Sequence, residues 1–386
     1  MSFAARTTHL KPEGAYEVLA RANQLEAEGK EIIHFEIGQP DFDTLENVCQ
    51  AGIKAIQSGK TRYTPPAGMP SLREAIAEDA GFRRGIKIHS NEVVVSPGGK
   101  PNLFFPTLAL IEPGDEVIYP NPGFPTYEAM IKVANGVPVA VPLAEENGFS
   151  FDLNVFDKLI NRRTKLIILN SPSNPTGGVM PFGDLEHIAA QVIRHDCWVL
   201  SDELYTRIVY DGIEAPSIAT IPGMRERTII VDGFSKTYAM TGWRLGYGIM
   251  PEALADKVGL LMTHSVGSTA HFTQFAGIEA ITGPQERVSE MVSEYQHRRN
   301  VIVEGLNTIL GFSCQKPQGA FYAFPNITGT GMGSTELANL ILEKVGVALL
   351  PGNSFGQYGE GYLRLSYANS IENIEKGIER ISTVLS

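Results

Sequence analysis

Four short stretches hold residue types that could do chemistry, each at the end of a β-prone run. Ser96-Pro97-Gly98-Gly99-Lys100 follows an apolar EVVV run and precedes a helical segment. Backbone N–H groups at a helix start, with glycine allowing close approach, bind anions such as phosphate. The loop from Asn170 to Gly178 (NSPSNPTGG) is stiffened by two prolines and two glycines, and Asn174 within it offers both a donor and an acceptor. Ser201-Asp202-Glu203-Leu204-Tyr205 closes another apolar run, so Asp202 should be partly buried and in need of a partner. The stretch from Gly233 to Gly246 (GFSKTYAMTGWRLG) sets Lys236 among small and apolar residues, with Arg244 further along. Burial lowers a lysine from its usual pKa near ~10.4 and makes its amine a nucleophile toward carbonyls. An arginine fork is a natural partner for phosphate. Taken singly, these stretches read as a turn, a tight loop, a capped or ion-paired carboxylate and a surface charge.

Together they ask for one ligand. A lysine suits a carbonyl, a glycine cradle with an arginine suits a phosphate, and a buried carboxylate suits a basic ring nitrogen. Pyridoxal 5'-phosphate carries all three groups.

The elements that must position these residues follow from short β-rich runs and amphipathic stretches. Glu92–Ser96, Glu116–Tyr119, Lys165–Asn170, Cys197–Asp202 and Thr228–Gly233 read as strands bounded by Gly, Pro, Asn or Asp. Ser71–Arg84, Lys100–Ile111 and Phe182–His195 read as helices between them. This alternation predicts an α/β fold with a mostly parallel central sheet covered by helices on both faces. In such sheets ligands sit at the carboxyl ends of the strands, where the four stretches lie. The chain ends read differently. Tyr16–Gly29, Glu286–Leu310, Thr335–Val345 and Ile371–Leu385 suggest helices, and Ala320–Phe324, Val347–Leu350 and Tyr362–Ser366 suggest strands. These predict a smaller α+β domain made from residues 1–45 and 286–386, beside a large domain over 46–285.

Composition narrows the function classes. The 386 residues are 43% hydrophobic and 19% charged, enough for a large core and incompatible with wholesale disorder. The net charge of −11, with no basic run, argues against nucleic-acid binding. No apolar stretch reaches the roughly 18 residues needed to span a bilayer. The opening MSFAARTTHLKPEG has no apolar core of a secretory signal. Cys49, Cys197 and Cys314 are far apart and odd in number, which predicts neither a disulfide framework nor a Cys-rich metal site and fits a reducing cytoplasm.

SPGGK, SPSNPTG, SDELY and GFSKTYAMTGWRLG, in this order and spacing, resemble the fold-type I, pyridoxal-phosphate-dependent aminotransferases of class I and II. IGQPDFDT, RYTPPAGMPSLREAIA, QKPQGAFYAF, LLPGNSFG and YLRLSYA extend the resemblance over nearly the whole chain. It implies an enzyme that moves an amino group between an L-amino acid and a 2-oxo acid by a ping-pong cycle. Lys236 would carry the cofactor and, once displaced by substrate, act as the base that moves the α-proton. Asp202 would pair with the ring nitrogen and keep it protonated. Tyr205 and Asn174 would hydrogen-bond the ring's phenolic oxygen, and Phe124 in NPGFPTY would stack on the ring. Gly98, Gly99, Lys100 and Arg244 would hold the phosphate. Arg364 in YLRLSYA would clamp the substrate α-carboxylate, helped by Asn174 and the backbone at Gly38. Tyr63 resembles the tyrosine that reaches the phosphate of a neighbouring subunit, implying a homodimer with shared sites. One position departs from the pattern. Many members carry a phosphate-binding serine three residues before the lysine, where this chain has Gly233; Ser235 is the substitute hydroxyl.

Other chemistry stays open beside transamination. A lyase, a decarboxylase or a cyclopropane-forming synthase of the same fold is compatible with the same residues. A cofactor-sensing regulator would need a basic DNA-binding face, which the charge disfavours. A nicotinamide dehydrogenase would need a glycine fingerprint after the first strand. His264 and His271 could share one helical face, but two histidines without a third ligand do not make a metal site. Phe124, Tyr16 and Tyr322 suit an apolar or aromatic substrate side chain, or simple packing.

Overall fold

The computed structural model of the chain describes residues 3–8, 10 and 12–385. Near the N-terminus a helix (Gly14–Ala27) precedes a two-residue strand, β1 (Ile33–His34). Eight further strands follow: β2 (Val93–Ser96), β3 (Glu116–Asn121), β4 (Val137–Ala144), β5 (Ser150–Phe151), β6 (Thr164–Asn170), β7 (Trp198–Asp202), β8 (Thr228–Gly233) and β9 (Gly246–Ile249). They make one sheet in the order β2-β9-β8-β7-β6-β3-β4-β5. Pairing is parallel from β8 through β7, β6 and β3 to β4, and antiparallel where β9 and the short β5 join. The mostly parallel α/β sheet expected from the sequence is present.

Alternation along the strands sorts side chains between the two faces. Val94, Leu166, Ile168 and Leu200 pack with helices Lys100–Leu110, Thr126–Val133 and Glu252–Thr263. Val93 and Val95 pack with Pro70–Arg84 and His271–Thr282 on the other face. Ile167, Leu169 and Val199 pack with Phe182–His195 on that face too. Parallel strands buried on both faces need continuous apolar runs.

The remaining strands are β10 (Tyr322–Ala323), β11 (Val347–Ala348), β12 (Leu350–Pro351) and β13 (Leu363–Ser366). β1 pairs with β11, and β13 is flanked by β10 and β12. Helix Ile371–Val384 buries Ile374, Gly377 and Ile381, one stripe at helical spacing, and Ser370 caps its start by accepting from the Asn373 N–H. Gly377 is needed because a Cβ there would run into Phe35. This second core takes in Tyr205, Ile208 and Tyr210, which follow β7, so it continues toward the central sheet.

Three boundaries differ from expectation. The helix expected over Glu286–Leu310 ends at Leu306. The Asn307 side chain bonds both the N–H and the carbonyl of Cys314, which folds the chain back, and Leu310 points to solvent. The strand expected over Val347–Leu350 is two strands with different partners. Ala320 takes a positive φ of 56°, so only Tyr322–Ala323 remains extended of Ala320–Phe324. His264 and His271 do not share a helix: the first ends Glu252–Thr263 and the second opens His271–Thr282. Among the described residues no helix is long and apolar enough to cross a membrane.

Candidate active site

The carboxyl ends of β6, β7 and β8 lie side by side, with that of β2 across the antiparallel β9, and the segments after them carry most of the residues singled out above. Asp202 ends β7 and is buried. Tyr127 Oη donates to Asp202 Oδ2 at 2.7 Å, and the Leu204 N–H reaches Oδ1 at 3.4 Å. Burial is the larger influence and raises the carboxyl to about 6. No cation pairs with it, so its charge is held only by a phenol and an amide.

The carboxylates beside Asp202 are paired instead. Glu203 accepts two bonds from Arg84 and one each from Ser201 and Ser217. Asp232 accepts from Arg83, Tyr247 and the Gly233 N–H. These pairs tie helix Pro70–Arg84 to the ends of β7 and β8. The contrast separates Asp202 from the two structural carboxylates.

Lys236 follows β8. By surface area it is only partly buried, but protein hems in its amine. Its Nζ donates to the Gly38 carbonyl at 2.6 Å, and no carboxylate joins it. Desolvation, then the positive charges of Arg364, Arg244 and Lys100, lower it to about 8. At neutral pH about one such amine in ten is unprotonated, against fewer than about one in a thousand for an ordinary lysine.

The SPGGK turn is braced from below. Ser96 Oγ donates to the Gly98 carbonyl at 2.6 Å, and Asn102 Nδ2 donates to Ser96 Oγ at 2.7 Å. Gly98 has φ +85°, and a Cβ on it would strike the Arg244 guanidinium. Gly99 is the N-cap of Lys100–Leu110, so that helix start and Arg244 converge on one spot. Arg244 is itself exposed, with Nη1 donating to the Thr241 carbonyl at 2.9 Å. Lys100 turns elsewhere: its amine pairs with Glu13 and lies 5.3 Å from the centre of the Phe124 ring. Phe124 in turn meets Tyr127 edge to face at 5.7 Å. Ser235 is buried two residues after Gly233.

Arg364 comes from β13 and is buried. Nη1 donates to Asn174 Oδ1 at 3.1 Å and Nη2 to the Glu36 carbonyl at 2.5 Å. Nε has no partner. Burial lowers its pKa, and no carboxylate side chain pairs with it. The backbone beside Arg364 is that of Glu36, whereas the Gly38 carbonyl serves Lys236. Tyr205 is buried, and its Oη lies 2.7 Å from Tyr322 Oη. Tyr63 is 98% exposed, away from all of these.

Asp202, Tyr205, Asn174, Lys236, Arg364 and Gly38 are thus linked by hydrogen bonds or short steps along the chain. Sequence reading passed over Tyr127, Asn170 and Glu36. Tyr127 stands three residues beyond Phe124, at the end of NPGFPTY, and nothing local says that it faces Asp202. Asn170 donates to the Asp202 carbonyl at 3.1 Å and accepts from the Asn174 N–H at 2.8 Å, locking the loop to β7.

Comparison with known proteins agrees with this geometry. The family model for aminotransferase class I and II matches residues 30–381. A probable aspartate/prephenate aminotransferase of Aquifex aeolicus is 40% identical, covering 99% of this chain and 98% of its own. Aromatic-amino-acid aminotransferase 2 of Thermococcus litoralis is 39% identical over 92% of each. The solved structure of the aspartate aminotransferase from Thermus thermophilus with maleate has a TM-score of 0.95 at 38% identity, covering 100% of both chains. A match this long, with a buried carboxylate, an unpaired lysine and an arginine fork gathered at the strand ends, means that the chain belongs to the aminotransferase class I and II family.

Proposed function

We propose that this protein is a pyridoxal-phosphate-dependent aminotransferase that moves the amino group of an L-amino acid to a 2-oxo acid. The observation that carries the reading is Lys236: a desolvated amine lowered to about 8, held by the Gly38 carbonyl and facing the positive charges of Arg364, Arg244 and Lys100 without a carboxylate. Family membership implies the cofactor, and the residues fit it. A cation-free buried carboxylate suits a protonated ring nitrogen. At Gly98 the absence of a Cβ lets the Arg244 guanidinium stand against the start of helix Lys100–Leu110, an arrangement of donors that suits a phosphate. The orphaned Arg364 Nε offers a donor to a carboxylate.

When bound, pyridoxal phosphate supplies an aldehyde carbon that amines attack and a ring that withdraws the electron pair left as Cα loses its proton. Lys236 would hold the cofactor through its amine and, once freed, would be the base that takes the proton from the substrate Cα. Asp202 keeps the proton on the ring nitrogen, which needs its ionised form and so favours pH above about 6. Tyr205 and Asn174 hydrogen-bond the phenolic oxygen, and Phe124 covers the ring. Gly98, Gly99, Ser235 and Arg244 receive the phosphate; Lys100 would first have to leave Glu13. Arg364 takes the α-carboxylate as a fork. Each product leaves before the next substrate binds, so the two half-reactions alternate.

Tyr63, exposed here, reaches the phosphate of a second copy, making a homodimer. Residues 46–285 act as the large domain, which carries Lys236, and residues 1–45 with 286–386 as the small one, which carries Arg364. Three cysteines without disulfides suit a cytoplasmic enzyme. The relatives' names span aspartate, prephenate and aromatic amino acids, which supports use of acidic or aromatic side chains; aliphatic ones complete the proposed range.

The visible spectrum tests the reading. The purified protein should absorb in the visible, and one amino acid without oxo acid should abolish that band while releasing one equivalent of 2-oxo acid. A band that persists while pyruvate and ammonia accumulate would mean lyase chemistry. No band even with added pyridoxal phosphate would overturn the reading.

A further inference from the structure

Tyr322 touches three parts of this site: Arg364, Tyr205 and Gly38. It lies on β10, with Ser366 of β13 opposite it and Arg364 two residues away on the same strand. Its side chain is buried. The Arg364 guanidinium sits 4.6 Å from the centre of its ring, and Phe355 lies 4.9 Å from the same guanidinium. Its hydroxyl has one hydrogen-bond partner, Tyr205 Oη at 2.7 Å. That hydroxyl also occupies the space where a Cβ on residue 38 would stand, so glycine is required at the position whose carbonyl holds Lys236.

We infer that Tyr322 is a positioning residue: it aims the Tyr205 proton at the cofactor's phenolic oxygen while its ring holds the Arg364 fork flat for the substrate carboxylate. This rests on the proposed roles of Lys236, Tyr205 and Arg364. Proton counting supports it. Burial keeps both phenols protonated, so two protons serve two oxygens. One proton lies between the oxygens. With no other acceptor on Tyr322, that proton comes from Tyr322 whenever an acceptor approaches Tyr205. The Tyr205 proton is then free, and its direction is set by the bond it accepts. An isolated phenol would have to lose that rotational freedom on binding. Burial raises both phenols; the Arg364 fork, which stacks on the Tyr322 ring, counters that rise as the second influence on Tyr322 and a lesser one on Tyr205, which favours Tyr322 as the donor.

The experiment follows the pH midpoint of the bound cofactor's visible band. Tyr322→Phe removes one oxygen and keeps the ring. The midpoint should rise by about half to one pH unit, in the direction of Tyr205→Phe and by less, because a weakened hydrogen bond stabilises the ionised phenolic oxygen less. In a Tyr205→Phe background, Tyr322→Phe should add nothing. Gly38→Ala, which displaces the hydroxyl without deleting it, should raise the midpoint too. Tyr322→Phe should leave the KM for amino acid within about twofold, whereas Tyr322→Leu should raise it by about two- to fivefold through loss of the cation–ring contact. A merely structural role would lower the melting temperature and leave the midpoint unmoved, which would overturn the inference. An equal shift with and without the Tyr205 hydroxyl would overturn it as well. Absence of any visible band in the unmutated protein would instead remove the reading on which it rests.

Discussion

Lys236 shows how a residue useful for chemistry burdens the fold. Its ordinary pKa of 10.5 falls to about 8 in the folded chain, chiefly by desolvation. Below about pH 8 both folded and unfolded chains carry the proton, and the folded state bears the full cost of a poorly solvated charge. Between about 8 and 10.5 the folded chain has released its proton while the unfolded chain retains it, so stability rises with pH. Cofactor-free Lys236→Met should therefore be more stable than the unmutated protein at neutral pH, by about 1–3 kcal/mol. The gain should shrink as pH climbs past 8. Denaturant melts of the two cofactor-free proteins at pH 7 and pH 10 measure it; an equal difference at both would show that Lys236 is not desolvated. Asp202 is perturbed by the same cause in the opposite direction, since burial raises a carboxyl and lowers an amine.

At the scale of elements, helix Pro70–Arg84 does more than cover the sheet. Its last turn sends Arg84 to Glu203 and Arg83 to Asp232, beside the ends of β7 and β8 that present Asp202 and lead to Lys236. The Arg84 and Glu203 side chains are 5% and 2% exposed. Removing one partner of a buried pair leaves the other charge without compensation, so Arg84→Met should cost about 3–5 kcal/mol. Arg287–Glu290 is a pair of similar length on the surface, and Arg287→Met should cost less than about 1 kcal/mol. Urea unfolding of the two variants decides between them; equal losses would mean that Arg84 is not a buried anchor. The strand after this pair was harder to foresee. β9 has glycine at two of its four positions, so it offers neither an apolar run nor alternation. Its glycines answer to neighbours distant in sequence: a Cβ on Gly246 would strike the SPGGK turn, and one on Gly248 would crowd Asn102.

For the molecule as a whole, the residues of the site come from regions far apart in the chain. Lys236 and Asp202 belong to the central sheet, and Gly38, Tyr322 and Arg364 to segments near the two ends. Tyr63, a proposed ligand residue, is almost wholly in solvent. If it completes the site of a second copy, two inactive variants should repair each other. Lys236→Ala and Tyr63→Ala proteins, unfolded together and refolded, should form hybrids with one site that draws its lysine and its tyrosine from different copies. Cofactor affinity and turnover above those of either parent would be the expected result. Failure to exceed the parents would place Tyr63 outside the shared site.

The sequence by itself determined five of the eight strands of the central sheet, three of the helices that flank them and the chemical kit at their ends, but not β4, β5 and β9 or helices Thr126–Val133, Glu252–Thr263 and His271–Thr282. The legible elements rest on local rules: an apolar run buried on both faces, a periodic stripe, a glycine turn at a helix start. Lys236, Asp202 and Arg244 stood out because lysine, carboxylate and arginine in such settings have few other uses together, whereas Arg364 was named only through the family resemblance of YLRLSYA. What only the tertiary structure decided was partnership. Tyr127 on Asp202, Glu36 on Arg364, Tyr322 on Tyr205 and Glu13 on Lys100 are each pairs far apart in the chain, and a phenol or a carboxylate carries no local sign of which distant group it will meet. The early end of the helix at Leu306 has the same origin, since an asparagine side chain bonds a backbone that must first fold back to meet it. Periodicity reports which face is buried, and the folded chain alone reports what lies against it.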